Sequence, residues 1–301
     1  MNAEARRPPG TTALSRRRGA ASFHDMPERR SDKAAISTRL ARGAVVAIAC
    51  CVLIAGCRDH ASAGTPVTDK SSTTTTTTMP RLHQPTASKP MTILDIGDSL
   101  GEDLGLGLGY TMGTNPLVRI VQAAHGDSGL ARPDYYNWPA VLAADLTRYH
   151  PQMVMILVGG NDAQNFLVKG EPVVFGTPQW RTIYAQRVAR MMSETLKAGA
   201  KMLWVGLPIM QDPTFGAAMQ SLNAIYKAQA ALHRGVKFFP TWSLFSNVEG
   251  QYSAYLTNSS GQTVLARDSD GVHIAPPGGC DIIAIAAAKE IEAFWRVHLG
   301  V

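Results

Sequence analysis

The feature that most constrains the fold is an alternation of short apolar runs with longer helical stretches, which extends from residue 91 to the end of the chain. The run Met153–Val158 is apolar at every position, which is typical of a central parallel strand covered on both faces. Because parallel strands must be joined by crossovers, usually helices, the alternation predicts a parallel sheet between helical layers. We expect about five strands, at residues 91–97, 117–123, 152–158, 202–207 and 236–240.

Helix signals lie between these strands. Thr177 followed by Pro178 is the pattern of an N-cap residue with proline at the first helical position, so a helix should begin there and end near Gly199. Two further helices are expected at residues 219–233 and 280–297. Residues 91–301 are therefore predicted to form one α/β domain, a three-layer α/β/α sandwich with a parallel sheet.

The first 56 residues have the composition of an export signal. Residues 1–43 contain ten Lys/Arg and four Asp/Glu, and an apolar run of 13 residues follows at 44–56. A basic segment before a short apolar run is typical of a signal peptide, and the run is shorter than the roughly 20 residues of a spanning helix. The sequence Leu53 to Cys57 resembles a bacterial lipobox, in which the cysteine is lipidated. We therefore expect an exported, membrane-anchored lipoprotein of the periplasm or cell surface; an ordinary signal peptide or a short uncleaved anchor remains open.

Residues 57–90 are rich in Ser, Thr and Pro and include an unbroken threonine tract at 73–78, so they are predicted to be a flexible tether. Beyond residue 43 the chain carries 19 positive and 19 negative side chains, which argues against nucleic acid as a partner. Cys280 is the only cysteine after Cys57, so no disulfide is expected within the domain. No His/Cys cluster has metal-ligand spacing, and we expect neither a metal nor another cofactor.

Short polar motifs lie at or after the ends of the predicted strands, and the carboxyl ends of parallel strands meet at one edge of a sheet. They are Gly97-Asp98-Ser99-Leu100, His125-Gly126-Asp127-Ser128-Gly129-Leu130, Gly159-Gly160-Asn161-Asp162 and Asp270-Gly271-Val272-His273. A serine hydroxyl is a weak nucleophile that needs a base, and a histidine base is oriented by an acid. Ser99, His273 and Asp270 are therefore the candidate nucleophile, base and orienting acid.

In this order and spacing, the motifs resemble the four blocks of the SGNH (GDSL) hydrolases, over nearly all of residues 91–301. The resemblance, which is to a bacterial cell-envelope branch of that superfamily, implies the flavodoxin-like SGNH hydrolase fold and serine ester hydrolysis through an acyl-enzyme. It also implies that the oxyanion is bound by the Ser99 amide, the Gly129 amide and the Asn161 side chain. Gly126 is a nearby alternative to Gly129.

Some of these motifs also match other patterns. Residues 97–101 satisfy the G-x-S-x-G pattern, but α/β-hydrolases place several strands before that serine, and only a signal and tether precede Ser99 here. The glycine-rich stretch Gly105–Gly109 lacks the spacing of a dinucleotide-binding loop, and we expect it to be a closely packed loop after Ser99. Asp98 and Asp162 are expected to support their loops by hydrogen bonding, and His125 to be polar surface.

The expected substrate is an acylated polysaccharide of the cell envelope, or an exopolysaccharide such as cellulose, from which an acyl group, most simply acetyl, is removed or transferred. Arg132, Tyr135 and Trp138 are candidate sugar-binding residues, because aromatic faces beside hydrogen-bonding groups suit sugar rings. Alternatively, Tyr135 and Trp138 hold the start of a helix near Asn137. Possible partners are a polysaccharide synthase or a membrane acyltransferase. A non-catalytic glycan-binding accessory protein of exopolysaccharide biosynthesis and a general short-chain esterase remain alternatives.

Overall fold

The computed structural model of the protein describes residues 82–301. The predicted signal segment 1–56, the lipidation site Cys57 and the predicted tether up to residue 81 lie outside the described residues. The described elements are, in chain order, β1 (Met91–Gly97), α1 (Ser99–Met112), β2 (Val118–Gln122), α2 (Trp138–Tyr149), β3 (Met153–Leu157), β4 (Phe166–Val168), β5 (Glu171–Val173), α3 (Pro178–Lys197), β6 (Lys201–Val205), α4 (Pro213–Leu232), β7 (Val236–Phe239), a 3-10 turn (Ser243–Phe245), β8 (Tyr255–Thr257), β9 (Thr263–Leu265) and α5 (Gly278–Trp295).

A five-stranded parallel sheet with the order β2-β1-β3-β6-β7 forms the centre of this region. Helix α1 packs against α5, and α2, α3 and α4 pack in succession against one another. The strand order is that of flavodoxin-like folds, in which successive strands are added in opposite directions across the sheet from the boundary between β1 and β3. In such folds, ligands bind at the carboxyl ends of these two strands. The predicted three-layer α/β fold is confirmed.

The central strands explain why the sheet could be recognised in the sequence. Every residue of β1 and β3 is buried, so both strands are covered on both faces. The five predicted strands are confirmed to within one or two residues at each end. The predicted N-cap Thr177 is also confirmed, since its side chain accepts a hydrogen bond from the Trp180 amide at the start of α3.

The stretch Gly105–Gly109, which we expected to be a loop, is instead the middle of helix α1. Asp98 starts this helix as its N-cap, and the apolar residues on the helix outweigh the low helix propensity of glycine. Gly107 permits close packing of α1 on α5, because a Cβ at this position would lie 2.0 Å from the Cys280 carbonyl oxygen. The prediction of close packing was right, and the assignment as a loop was wrong.

Other differences concern element ends and short hairpins. Helix α4 begins at Pro213, with Asp212 as its N-cap, six residues before the predicted start at 219. The hairpins β4–β5 and β8–β9 were not predicted, because strands of three residues leave little periodicity to recognise. No helix within residues 82–301 combines the length and apolar character that crossing a membrane requires.

The last nine residues of the predicted tether, 82–90, include three that contact the domain. Leu82 contacts the core and Pro85 is buried. The Gln84 side chain donates to the Arg296 carbonyl (2.6 Å) and accepts from the His298 amide (3.0 Å), so it satisfies backbone groups after the end of α5. A few well-placed contacts therefore order a segment whose polar composition indicates flexibility, and packed structure begins by Leu82 rather than at Met91.

Candidate active site

Ser99 is the first residue of α1, directly after the carboxyl end of β1. The Asp98 side chain fixes this position: its Oδ1 accepts from the Leu100 amide (3.0 Å) and its Oδ2 from the amides of Gly159 (2.8 Å) and Gly160 (2.7 Å). Complete burial raises the pKa of Asp98 to about 7, against the opposing effect of these hydrogen bonds. Asp98 thus joins the ends of β1 and β3, in the supporting role predicted for it.

The three residues predicted as nucleophile, base and acid form one hydrogen-bonded chain. The Nε2 atom of His273 lies 2.8 Å from Ser99 Oγ, and its Nδ1 atom lies 2.6 Å from Asp270 Oδ2. Asp270 Oδ1 also accepts from the amides of Val272 (2.8 Å) and His273 (3.0 Å). A carboxylate at Nδ1 favours the tautomer with its proton on Nδ1, which leaves the Nε2 lone pair free to accept the serine proton.

The electrostatics of the acid agree with this arrangement. Partial burial raises the pKa of Asp270, but the hydrogen bonds from the His273 side chain and from the two amides outweigh it, so the pKa is below its ordinary value. Asp270 is therefore ionised at neutral pH and can stabilise a protonated His273. The His273 and Asp270 side chains are 26% and 49% exposed, so water reaches this side of the site.

The predicted oxyanion residues Gly129 and Asn161 lie on adjoining loops. Asn161 Nδ2 donates to the carbonyl of Ser128 (2.9 Å), the residue before Gly129. Within residues 82–301, neither the Ser99 amide nor the Gly129 amide donates a hydrogen bond, so both are available to a ligand. The alternative, Gly126, already donates its amide to Glu102 Oε1 (2.9 Å). The geometry therefore favours Gly129 over Gly126.

The segment 128–131, which we call the oxyanion loop, is held by a buried acid and a half-buried arginine. Asp162 accepts from the amides of Leu130 (3.1 Å) and Ala131 (2.7 Å), and Arg187 donates to the carbonyls of the same two residues (2.8 Å each). A Cβ at Gly129 would lie 2.3 Å from Asp162 Oδ1, so the loop can approach this carboxyl only with glycine there. Burial raises the pKa of Asp162, and hydrogen bonds from Tyr184 and the loop amides partly offset the rise.

The predicted sugar-binding residues separate into two groups. Trp138 is only 1% exposed, and its Nε1 donates to Ser128 Oγ (3.0 Å), so it supports the oxyanion loop and cannot stack on a sugar. The assignment of Trp138 to substrate binding is therefore wrong. Tyr135 is 56% exposed, and Arg132 forms an exposed ion pair with Asp134 (2.7 Å).

Two buried residues near the triad were not singled out in the sequence. Arg267 is fully buried and donates to backbone carbonyls of the segment that carries His273. Asp103, also buried, accepts from the Ile274 amide (2.9 Å) through Oδ2. Asp103 lies one helical turn after Ser99, a spacing that would have drawn attention to it if α1 had been predicted. No sequence signal distinguishes Arg267 from an exposed arginine.

Other polar groups lie outside the triad. His125 is exposed and stacks on Tyr136 with ring centroids 4.2 Å apart, in agreement with its expected surface role. Cys280 is buried, and burial raises the pKa of its thiol to about 12. In the part of the chain that the structure describes, no three His, Cys, Asp or Glu side chains are grouped as metal ligands.

Solved structures with a similar chain trace include a GDSL-like lipase from Bacteroides thetaiotaomicron. It is 17% identical, with a TM-score of 0.48 over 70% of this chain and 92% of that one. A catalytic mutant of an acetylxylan esterase from Geobacillus stearothermophilus is 18% identical, with a TM-score of 0.48 over 68% of this chain and 95% of that one. No curated protein matches the chain.

A family model described as "Protein of unknown function (DUF459)" matches residues 92–290. The match begins in β1, ends in α5 and includes Ser99, Gly129, Asn161, Asp270 and His273. It spans more than half of the 301 residues, and the chain therefore belongs to the DUF459 family.

Proposed function

We propose that the protein is a serine ester hydrolase that acts through an acyl-enzyme at Ser99. One observation carries the proposal: two consecutive hydrogen bonds, of 2.8 and 2.6 Å, join Ser99 Oγ to His273 and His273 to Asp270. Such a chain is the arrangement that turns a serine hydroxyl into a nucleophile. Two unengaged amides, those of Ser99 and Gly129, supply the donors that acyl transfer also requires.

The reaction follows from the positions of the protons. His273 Nε2 takes the Ser99 proton as Oγ bonds to the ester carbonyl carbon, and the carbonyl oxygen becomes an oxyanion. The bond from carbon to the alcohol oxygen then breaks, and the Nε2 proton passes to the departing alcohol. Water, with His273 again as base, adds to the acyl-enzyme and releases the carboxylic acid and free Ser99.

The oxyanion is the point at which the protein supplies most stabilisation. The Ser99 amide lies at the N-terminus of α1, where the helix dipole favours negative charge. One well-aimed donor contributes about 3 kcal/mol in the transition state. We assign the donors to the Ser99 amide, the Gly129 amide and Asn161 Nδ2, whose second proton is not used by the Ser128 carbonyl.

The proposed substrate is an O-acyl group, most simply acetyl, on a cell-envelope polysaccharide or exopolysaccharide. The signal-like sequence up to Cys57 supports export and anchoring, and the exposed Arg132 and Tyr135 beside the oxyanion loop support contact with sugars. The exposure of His273 and Asp270 favours water as the acyl acceptor, and hence hydrolysis rather than transfer to a second sugar.

A labelling experiment tests the catalytic assignment. The protein should react covalently with a fluorophosphonate probe at Ser99 and release p-nitrophenol from p-nitrophenyl acetate, and Ser99→Ala should lose both activities while remaining folded. Ser193→Ala is a useful comparison, because Ser193 lies on α3 and its hydroxyl contacts His233 (3.2 Å) rather than a residue of the triad or of the oxyanion loop. Undiminished turnover by folded Ser99→Ala would refute the assignment.

A substrate series tests the finer proposal. Activity should fall from acetyl to octanoyl esters, and acetylated oligosaccharides should be better substrates than aryl acetates of equal leaving-group ability. A preference for octanoyl esters, with no activity on any acylated glycan, would refute the polysaccharide substrate and leave a general esterase as the function.

A further inference from the structure

Arg267 is the only lysine or arginine among residues 82–301 that is fully buried. Burying a charged group is costly unless hydrogen bonds satisfy it, so such a residue must make specific contacts. Burial lowers the pKa of Arg267 to about 10, while Tyr252 and nearby carboxylates, including Asp270 and Asp103, act in the opposite direction. The side chain therefore keeps its charge at neutral pH.

The guanidinium binds the backbone of the segment 270–274, which we call the base loop because it carries Asp270 and His273. Arg267 Nη2 donates to the carbonyls of Val272 (2.6 Å) and Gly271 (3.4 Å), and Nε donates to the carbonyl of His273 (3.3 Å). Three consecutive carbonyls of the base loop are thus bound by one planar side chain. Two of them also accept from backbone amides, Gly271 from Gln211 (3.1 Å) and His273 from Asp268 (2.9 Å), whereas no backbone amide donates to the Val272 carbonyl within residues 82–301.

The same guanidinium connects the base loop to the loop after β6. Its Nη1 donates to the Ile209 carbonyl, and Nη2 lies 3.3 Å from Met210 Sδ. The rings of Phe245 and Tyr252 lie 5.5 and 5.4 Å from the guanidinium carbon, within the range of cation–π contacts. These contacts hold the plane of the guanidinium, and with it the direction of every donor.

The far end of the base loop is attached to the nucleophile helix. Asp103 Oδ2 accepts from the Ile274 amide (2.9 Å), the residue after His273, and Asp103 is on the same helix as Ser99. The base loop is therefore fixed through its carbonyls by Arg267 and through an amide by Asp103.

We infer that Arg267 is a positioning residue that sets the direction of His273 toward Ser99 by fixing the three carbonyls before and at the base. The inference rests on the proposed function, because it assigns His273 the role of base. A lysine could not replace it, since a single ammonium group cannot reach four carbonyls in the plane that a guanidinium fork covers. A displacement of about 1 Å in a catalytic group can cost about 100-fold in rate.

Kinetics of Arg267→Lys and Arg267→Met test the inference. Both variants should lower kcat for p-nitrophenyl acetate by about 10- to 100-fold and change KM by less than about twofold, because the oxyanion loop and the substrate surface are untouched. Val188→Ala is a matched control: it removes buried volume from α3, which packs against α2 and α4, and should lower the unfolding midpoint without lowering kcat. A kcat of Arg267→Lys within twofold of wild type would overturn the inference.

A measurement that needs no turnover separates this inference from the proposed function. The proton between His273 Nδ1 and Asp270 should give a low-field NMR resonance that is absent in His273→Ala. Arg267→Lys should lose or shift this resonance even if no ester is ever hydrolysed. An unchanged resonance in folded Arg267→Lys would refute the positioning role, whereas a wild-type protein without esterase activity would refute only the function.

If neither Arg267 variant folds, Tyr252 provides the test. Tyr252→Leu removes one of the two rings against the guanidinium, whereas Tyr252→Phe keeps the ring. Lower kcat in Tyr252→Leu alone supports the inference, and equal kcat in both variants contradicts it.

Discussion

The oxyanion loop and the base loop are each held by an acid and an arginine, but these two side chains share the hydrogen bonds differently in the two loops. In the oxyanion loop, Asp162 accepts two amides and Arg187 donates to two carbonyls. In the base loop, Arg267 donates to three carbonyls and Asp103 accepts one amide. In both loops, charged side chains satisfy backbone groups; in the base loop, the Gly271 and His273 carbonyls also accept from the backbone amides of Gln211 and Asp268.

The difference lies in what each loop delivers to the reaction. The oxyanion loop contributes a backbone amide, which can be moved only by moving the loop itself. The base loop contributes side chains, whose direction depends on the peptide groups behind them. We therefore expect the oxyanion loop to be sensitive to added volume, and the base loop to loss of hydrogen bonds.

The largest expected effect is the loss of the base. His273→Ala should lower kcat/KM by about 10,000-fold or more, because no group then accepts the Ser99 proton. Asp270→Asn should lose less, since the serine–histidine pair remains. His125→Ala is the control, as this exposed histidine stacks on Tyr136 outside the triad. Steady-state rates with p-nitrophenyl acetate decide the matter: a wild-type rate for His273→Ala and a lost rate for His125→Ala would mean that the wrong histidine was chosen.

Added volume in the oxyanion loop should have the next largest effect. Gly129→Ala places a Cβ 2.3 Å from Asp162 Oδ1, so the loop must move and its amide leaves the oxyanion position. We expect kcat to fall by about 100-fold or more, the cost of one lost donor. Gly126→Ala is the matched control, because its Cβ would meet only the end of the Glu102 side chain at 3.3 Å. Equal kcat in the two alanine variants would exclude Gly129 as a donor.

The contrast between the loops also explains what could be predicted from the sequence. β1 and β3 were predictable because strands covered on both faces are apolar at every position. Ser99, Asp270 and His273 were predictable because the residue types needed for the chemistry occur at strand ends or in a short Asp-x-x-His motif. The support of the base loop was harder to foresee, because the burial of Arg267 depends on rings and a carbonyl far along the chain.

Trp138 and α1 were predicted wrongly for the same reason, namely that their roles depend on tertiary contacts. An aromatic residue in a polar loop is equally compatible with sugar binding and with packing, and only the tertiary contact to Ser128 decides between them. The glycines of α1 have low helix propensity, yet contact with α5 requires a small residue at Gly107. In both cases, packing between distant segments overrides the local pattern.

Removal of the acid behind the oxyanion loop should act mainly on stability. Asp162→Ala leaves the amides of Leu130 and Ala131 and the Tyr184 hydroxyl without their acceptor, so we expect the free energy of unfolding to fall by about 3 kcal/mol or more. Asp134→Ala removes an exposed ion pair with Arg132 and should change the free energy of unfolding by less than about 1 kcal/mol. Urea denaturation measures both; equal stability of the two variants would show that the buried acid is not what holds this loop.

The smallest expected effect is a pH dependence of stability, to which Asp98 and Asp270 contribute with opposite signs. The pKa of Asp98 is raised to about 7 in the folded protein, so between roughly pH 4 and pH 7 the folded chain holds a proton that the unfolded chain has released. The free energy of unfolding should therefore fall as the pH rises through this window, by at most about 1.4 kcal/mol per pH unit from this group. The raised pKa values of Asp95 and Asp162 act in the same direction.

Asp270, with its lowered pKa, instead stabilises the protein above its unfolded pKa and loses that contribution only as the pH falls below about 4. Unfolding midpoints measured from pH 4.5 to pH 8 should thus decline less steeply in Asp98→Asn than in wild type, and equally steeply in Asp270→Asn. Parallel curves for wild type and Asp98→Asn would mean that the Asp98 carboxyl is already ionised in the folded protein, with its three amide hydrogen bonds outweighing its burial.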